Sequence, residues 1–334
     1  SVACASGMAA LSNAFMNILQ SGDEIVAAAG LYGGTVELFE DLEAFGITTR
    51  YVKKNEPESY EELITDKTRL IFAETIGNPM LDVTDIAAVA EMAHRNHLPL
   101  IIDNTVATPY LVKPISLGAD IVVNSSSKYM NGNSDAISGV LTWSGKFKWD
   151  DERYPGMAPY KKFGPMAYIA KLRNGLFRNM GACLSPQNAF LNNLGLETLG
   201  LRMERQCANA LELAKYLDTL EGITVNYPGL PDSPYYELAK RQLHGGFGAI
   251  VTMRTGSKER AFEIINALQL PFILSNIGDT KTLVIHPAST IAVHLSKEDQ
   301  IQSGVYDDLI RVSVGIEDVE DLKKDFANAI GGTR

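Results

Sequence analysis

Cysteine is scarce in this chain: three residues, Cys4, Cys183 and Cys207, lie far apart with no CxxC pair and no even count. That pattern excludes a disulfide framework and points to a reducing, cytoplasmic setting. An excess of basic residues is lacking as well, since 30 Lys plus Arg face 40 Asp plus Glu for a formal charge of -10. The basic residues are scattered, which argues against a nucleic-acid partner and for small-molecule chemistry. No uninterrupted apolar run approaches the ~20 residues of a membrane helix. Ser1 to Gly22 carries no charge, yet it has no basic n-region, and Asn13, Asn17 and Gln20 interrupt it, so it is not read as a secretory signal. There is no initiator Met at position 1, and the first residues read as the end of a loop entering a helix. An upstream arm is therefore expected. No internal repeat or low-complexity segment stands out.

What is present is a globular chain of 334 residues, 46% hydrophobic and 21% charged. That length corresponds to about two domains. Helical spacing over Gly7–Gln20 places Met8, Leu11, Phe15 and Ile18 on one face. Strands are expected at 24–28, 48–52, 69–74, 99–103 and 120–125, and helices at 35–45 and 85–95, the latter capped by Thr84 or Asp85. Apolar strands separated by amphipathic helices predict an α/β fold with a mostly parallel sheet covered on both faces. Residues 145–164 are aromatic, charged and broken by Pro155, Gly156 and Pro159, an excursion from the sheet. Helices are expected at Pro165–Asn179 and Ser185–Leu220, and short strands and helices resume from about Gly222. The expected division is a large cofactor-binding domain at 1–184, a connecting helix at 185–221 and a smaller C-terminal α+β domain at 222–334.

In an open parallel sheet, ligands gather beyond the carboxyl ends of the strands. There the sequence places Asp103-Asn104-Thr105 and Ser125-Ser126-Ser127-Lys128, while Ser6-Gly7-Met8 opens the first helix with free N–H groups that favour an anion. Each signal alone fits a bland reading as a cap, a turn former or a solvated charge. Together they supply a phosphate cradle, a carboxylate and a reactive amine, the three requirements of pyridoxal phosphate (PLP). His94 and His97, with Glu91, have a spacing at which a metal could be shared. The favoured reading is a polar helix end, and no metal site is expected.

The chain resembles the Cys/Met-metabolism group of PLP enzymes, of aspartate-aminotransferase fold type I, and most of all the O-acetylhomoserine sulfhydrylases. The landmarks run in order along the whole chain: SGMAA at 6–10, LYGGT at 31–35, AETIGNP at 73–79, IIDNTVATPYLVKPISLGADIVVNSSSKY at 101–129, LSPQNAFLNNLGLETLGLRMERQ at 184–206, SNIGDTKTLVIHPAST at 275–290 and IRVSVGIED at 310–318. The resemblance implies Lys128 as the lysine that forms the Schiff base and Asp103 as the partner of the pyridinium nitrogen. Tyr32 would stack on the cofactor ring near the leaving group. Gly7, Met8, Ser125 and Ser127 would hold the phosphate, and Asn78 would lie near the phenolic oxygen or simply form an Asn-Pro turn. Ser275, the Asn276 backbone and Arg311 would hold the substrate carboxylate.

The implied reaction is γ-replacement on O-acetylhomoserine by sulfide or a thiol, giving homocysteine or methionine. The implied assembly is a homotetramer built from dimers with shared active sites. Some features depart from the sulfhydrylase pattern: KYMNGNSDAISGV at 128–140 is closer to cystathionine lyases and synthases, Asn133 stands where histidine is usual, and Ile291-Ala292 replaces the usual Thr-His. The rival readings are an α,γ-eliminating lyase with the same cofactor and lysine, and an inactive fold homologue. His286 reads as a buried structural imidazole.

Overall fold

The computed structural model describes residues 1–150, 152–293 and 295–332. Asp151 in the aromatic excursion, and His294, Thr333 and Arg334 in the C-terminal segment, lie outside the described residues.

The first sheet is built from β1 (Val2–Cys4), β2 (Glu24–Ala27), β3 (Thr48–Tyr51), β4 (Thr68–Glu74), β5 (Leu100–Asp103), β6 (Ile121–Asn124) and β7 (Gly139–Trp143), in the order β1-β7-β6-β5-β4-β2-β3. Strands β2 to β6 are parallel, β7 runs antiparallel to β6, and β1 antiparallel to β7. Every residue of β2 and β6 is buried, as a sheet covered on both faces requires, whereas the edge strand β3 alternates exposed and half-buried positions. Phe15, Phe39 and Phe72 meet with ring centroids 5.1–5.7 Å apart, joining helices Gly7–Met16 and Gly33–Glu43 to β4.

A second sheet follows, from β8 (Thr224–Asn226), β9 (Ile250–Arg254), β10 (Phe272–Ile273), β11 (Leu283–Ile285) and β12 (Leu309–Ser313), ordered β10-β11-β12-β9-β8. Helix Leu199–Leu217 serves both cores: Leu199, Met203 and Cys207 pack with the first sheet, Ala210, Leu213 and Leu217 with the second.

Several boundaries differ from the sequence expectation. Residues 2–4 form the edge strand β1 and not the end of a loop, because Val2 and Cys4 bury their side chains while the backbone pairs with β7. The first helix stops at Met16 and not Gln20: the Asn17 amide donates to the Tyr168 carbonyl at 3.1 Å, and the Asn17 carbonyl accepts from Lys171. The expected helix at 165–179 is broken at Gly175 into Ala167–Asn174 and Leu176–Met180. The expected helix at 185–220 is two helices, Pro186–Glu197 and Leu199–Leu217, parted at Thr198. Gly195, in the last turn before the break, packs closely on the segment after Lys128, since a Cβ there would stand 2.2 Å from the Asn131 carbonyl oxygen. Arg202 holds the junction, donating to the carbonyls of Tyr129 at 2.6 Å and Gly195 at 2.7 Å. It also donates to the Met130 carbonyl at 3.3 Å, so two of its bonds hold the backbone just after Lys128.

The aromatic excursion packs on itself: Trp149 lies 5.5 Å from Trp143, 5.8 Å from Tyr168 and 5.0 Å from Tyr154. Trp149, Tyr154 and Met157 join the core of the first sheet. His286 is 3% exposed, its ring nitrogens bonded to Ser289 Oγ and the Asp307 carbonyl, a structural imidazole as the sequence suggests. His94 pairs with Asp120 at 2.8 Å.

Candidate active site

Strand register places the rim of the site. Glu74 at the end of β4 stands beside Asp103 at the end of β5, and Asp103 pairs with Val123 of β6, two residues before Ser125. A cavity of about 470 Å³ opens over these carboxyl ends, closed from the other side by the 274–277 segment and by Arg311 of β12. Its walls bring together every candidate from the sequence: Gly7, Met8, Tyr32, Asn78, Asp103, Ser125, Ser127, Lys128, Ser275, Asn276 and Arg311.

The anion cradle comes from the start of helix Gly7–Met16. Ser6 caps it, its hydroxyl accepting the Ala9 N–H at 2.9 Å, which leaves the Gly7 and Met8 N–H groups without an intrahelical acceptor. Glycine is required at position 7 because a Cβ would stand 2.6 Å from Ser125 Cβ. The Ser127 hydroxyl donates to the Ser138 carbonyl at 2.9 Å and accepts the Ser138 N–H at 2.8 Å, so an anion there competes for its proton. Among the described residues the Ser125 hydroxyl has no such internal acceptor, which leaves it the freer donor.

Burial shifts every ionisable group around the cavity. It pushes the Lys128 amine down to about 8, with Arg311 adding to the effect. It raises the Asp103 carboxyl to about 6 against two hydrogen bonds from Thr105, and it raises Glu74 well above the carboxylate range, with Asp103 contributing. Glu74 accepts the Tyr32 N–H at 2.6 Å, which fixes the start of helix Gly33–Glu43, and Gly34 leaves room for the Tyr32 ring, where a Cβ would stand 2.7 Å from Cε1.

Arg311 is 2% exposed and burial lowers its guanidinium to about 10. Nη1 donates to Asn78 Oδ1 at 3.2 Å and Nη2 to the carbonyls of Ser275 and Asn276 at 3.2 and 3.0 Å, while Nε is buried with no partner. Among the described residues no carboxylate pairs with it, so a carboxylate ligand is the chemistry its free donors call for. Asn78 holds the guanidinium and is more than a turn residue.

Thr105, expected at the end of β5, lines the cavity as well, and so do Glu74, Ser134 and Ile137, for which the sequence gives no expectation. Glu74 was within reach of the strand-end rule that found Asp103. Ser134 carries no local signal, because its place depends on a contact with the distant 276–279 segment.

The Cys/Met metabolism PLP-dependent enzyme profile matches residues 1–331. The chain belongs to that family. It is 42% identical to the homocysteine synthase of Schizosaccharomyces pombe, a match over 98% of this chain and 80% of that protein. It is 41% identical to the O-acetyl-L-homoserine sulfhydrylase of Leptospira meyeri, over 98% of this chain and 79% of that one. Among solved structures, the O-acetylhomoserine sulfhydrylase of Wolinella succinogenes superposes with a TM-score of 0.86 at 40% identity, covering 98% and 91% of the two chains. An O-acetylhomoserine (thiol)-lyase of Campylobacter jejuni, which carries a pyridoxyl-lysine phosphate, gives 0.93 at 34% identity, covering 98% and 82%. The fold is therefore that of the PLP fold type I enzymes, and PLP is the cofactor.

The residues present fit that group. Gly7 packs directly on Ser125, where a Cβ would clash, so the N–H groups at the helix start and the Ser125 hydroxyl line one cavity, with a carboxyl and an amine on the same rim. One consequence is testable on the cofactor-free chain. The folded value of Asp103, about 6, exceeds its ordinary 3.8, so its contribution to stability is full below about pH 4 and lost as pH rises through 6. Glu74 acts in the same direction at higher pH. A cation beside Asp103 reverses the penalty, so the rise in melting temperature on adding PLP should grow as pH increases from about 4 to 6. Thermal scans with and without PLP across that range measure it.

Proposed function

We propose that this chain catalyses γ-replacement on O-acetylhomoserine: sulfide or a small thiol takes the place of acetate, forming homocysteine or methionine. The observation that carries the reading is the buried Arg311, which lines the same cavity as Lys128 and Asp103 and has an Nε with no partner. The named relatives support the substrate. Bound in the cavity, PLP supplies an electron sink for the charge left when a proton leaves the substrate α-carbon.

The chain's own groups do the rest. Gly7 and Met8 N–H groups and the Ser125 hydroxyl hold the phosphate, with Ser127 beside them. Asp103, as an anion, pairs with the ring nitrogen and keeps its proton in place. Tyr32, which lines the cavity, would cover the cofactor ring. Arg311, supported by Asn78, Ser275 and Asn276, takes the substrate carboxylate and fixes the α-carbon near Lys128. The Lys128 amine would anchor the cofactor; as the free amine it is buried and lowered to about 8, so a useful fraction is neutral and can take and return protons. Turnover of O-acetylhomoserine with sulfide, against cystathionine alone, tests the reading. Acetate and homocysteine are the expected products. Release of 2-oxobutanoate and ammonia without thiol would move the assignment to the lyase.

We also take 1–184 as a cofactor domain, 185–221 as the connection and 222–334 as a small domain, a division supported by the two sheets, although Ala239, Leu243, Ala249, Ile250 and Ile277 pack into the first core. The unpaired thiols fit a reducing compartment such as the cytoplasm. No described helix is long and apolar enough to cross a membrane. A homotetramer is supported by helix Pro186–Glu197, which buries only Asn192 and Gly195 and exposes Phe190, Leu194 and Leu196, with Leu201 just beyond. Phe190→Glu combined with Leu201→Glu should lower the assembled mass in light scattering without unfolding the chain. An unchanged mass would place the interface elsewhere.

A further inference from the structure

Three hydrogen bonds lead away from Lys128, all polarised in one direction. Lys128 Nζ donates to Asn276 Oδ1, Asn276 Nδ2 donates to Ser134 Oγ at 2.7 Å, and Ser134 Oγ donates to Asp279 Oδ2 at 2.6 Å. Asp279 is 4% exposed, and its other oxygen accepts the Lys281 backbone N–H at 2.9 Å and the Lys281 ammonium at 3.0 Å. Burial pushes this carboxyl up, but the bonds from Ser134 and Lys281 outweigh it and leave it below its ordinary value, so it is an anion at neutral pH. An anion at the end of the chain fixes every donor before it. The Ser134 hydrogen must point at Asp279, its lone pairs then face Asn276, and the amide must turn its NH₂ to Ser134 and its oxygen to Lys128.

The loop carries strain to make this contact. Ser134 has φ +58°, in the left-handed region that non-glycine residues avoid. It is held there by its neighbours: Asn131 Nδ2 donates to Asp135 at 2.7 Å, and the Thr280 N–H donates to the Gly132 carbonyl at 2.9 Å. Gly278 permits the approach, since a Cβ there would stand 2.5 Å from the Tyr129 nitrogen. Two segments more than a hundred residues apart in sequence are thus locked in register behind the reactive lysine.

We propose that Ser134 and Asp279 are positioning residues which, through the Asn276 side chain, hold the Lys128 amine aimed into the cavity for proton transfer. The proposal rests on Lys128 being the reacting amine. The groups facing that amine are Arg311 from β12, Asp103 and Glu74 from the ends of β5 and β4, Tyr32 from the start of helix Gly33–Glu43, and Asp279 with Lys281 behind Asn276. Burial and Arg311 disfavour the ammonium, and a fixed amide oxygen opposes them, because a hydrogen bond to the charged form favours it. The neutral amine spends one N–H on Asn276 and keeps its lone pair for a proton on the cavity side.

Two substitutions separate this role from a structural one. Ser134→Gly deletes the hydroxyl and relieves the left-handed strain, so the variant retains the fold; Asp279→Asn keeps the shape and removes the charge. In the full chain stripped of cofactor, the pH dependence of Lys128 acetylation by acetic anhydride, read by mass spectrometry, should have its midpoint near 8. In both variants the midpoint should fall by about half a unit or more, since the acceptor for the ammonium is no longer held in place. In the holoenzyme, the acidic limb of α-proton exchange between an amino acid and D₂O should move in the same direction, with melting temperatures near that of the parent. A midpoint or an exchange limb that stays fixed in both variants overturns the proposal. Borohydride trapping of the cofactor on a different lysine would overturn the reading of Lys128 itself, a failure distinct from an unmoved midpoint.

Discussion

Lys128→Ala should lower turnover of O-acetylhomoserine with sulfide by at least about 10³-fold, a loss larger than that from removing a single general base because covalent anchoring is lost as well. The amine has two tasks that no neighbour can take over. Asp103 and Glu74 lie on the same rim, but both are carboxyls, and neither can link covalently to an aldehyde as an amine does. Arg311 is cationic even at the value near 10 to which burial lowers it, so it cannot serve as the base. The variant should still bind PLP, because the Gly7 cradle and Asp103 are untouched, but borohydride should leave no pyridoxyl group on the chain when its mass is measured. Since the parent buries an amine at a cost in solvation, the cofactor-free variant should melt no lower than the parent. Full sulfhydrylase activity in Lys128→Ala would sink both the assignment and the mechanism.

The legibility of this site in the sequence followed how local each determinant is. Asp103 and Lys128 could be found because the strands that end at or just before them, LIID and IVVN, are short and apolar with buried side chains, and a parallel sheet delivers its functional groups at the strand ends. Gly7 was legible for the same reason at a helix start. β1 was not, because three residues carry too little periodicity to separate a strand from a loop, and its pairing partner lies at 139–141. The break at Thr198 was equally hidden: the periodicity runs through it, and the close packing of Gly195 on the 130–131 backbone beside it is a contact no local pattern announces. Ser134 is the extreme case. Its role depends on register between two distant loops, and nothing in the pattern around it distinguishes it from the serines nearby.

Arg311→Leu should reduce kcat/KM by about 10²–10³-fold, mostly through KM, the scale expected when one partner of a buried ion pair is removed. The structure explains why the cost falls on binding. In the free protein the guanidinium is buried against three oxygen acceptors, none of them charged, and Nε has no partner. The free enzyme thus carries an uncompensated charge that the substrate carboxylate neutralises on arrival. The leucine variant lacks both the charge and the cost of burying it, so without ligand it should melt close to the parent. The parent should gain melting temperature when an amino acid that cannot react is added to the holoenzyme, and the variant should not. Arg311→Lys makes the comparison sharper: it keeps the charge but offers a point cation in place of a planar fork, and it cannot reach Asn78, Ser275 and Asn276 together. Affinity should therefore remain impaired in the lysine variant, with only part of the loss recovered. A lysine variant with wild-type KM would show that charge alone recruits the carboxylate and that the fork held by Asn78 contributes nothing to substrate orientation.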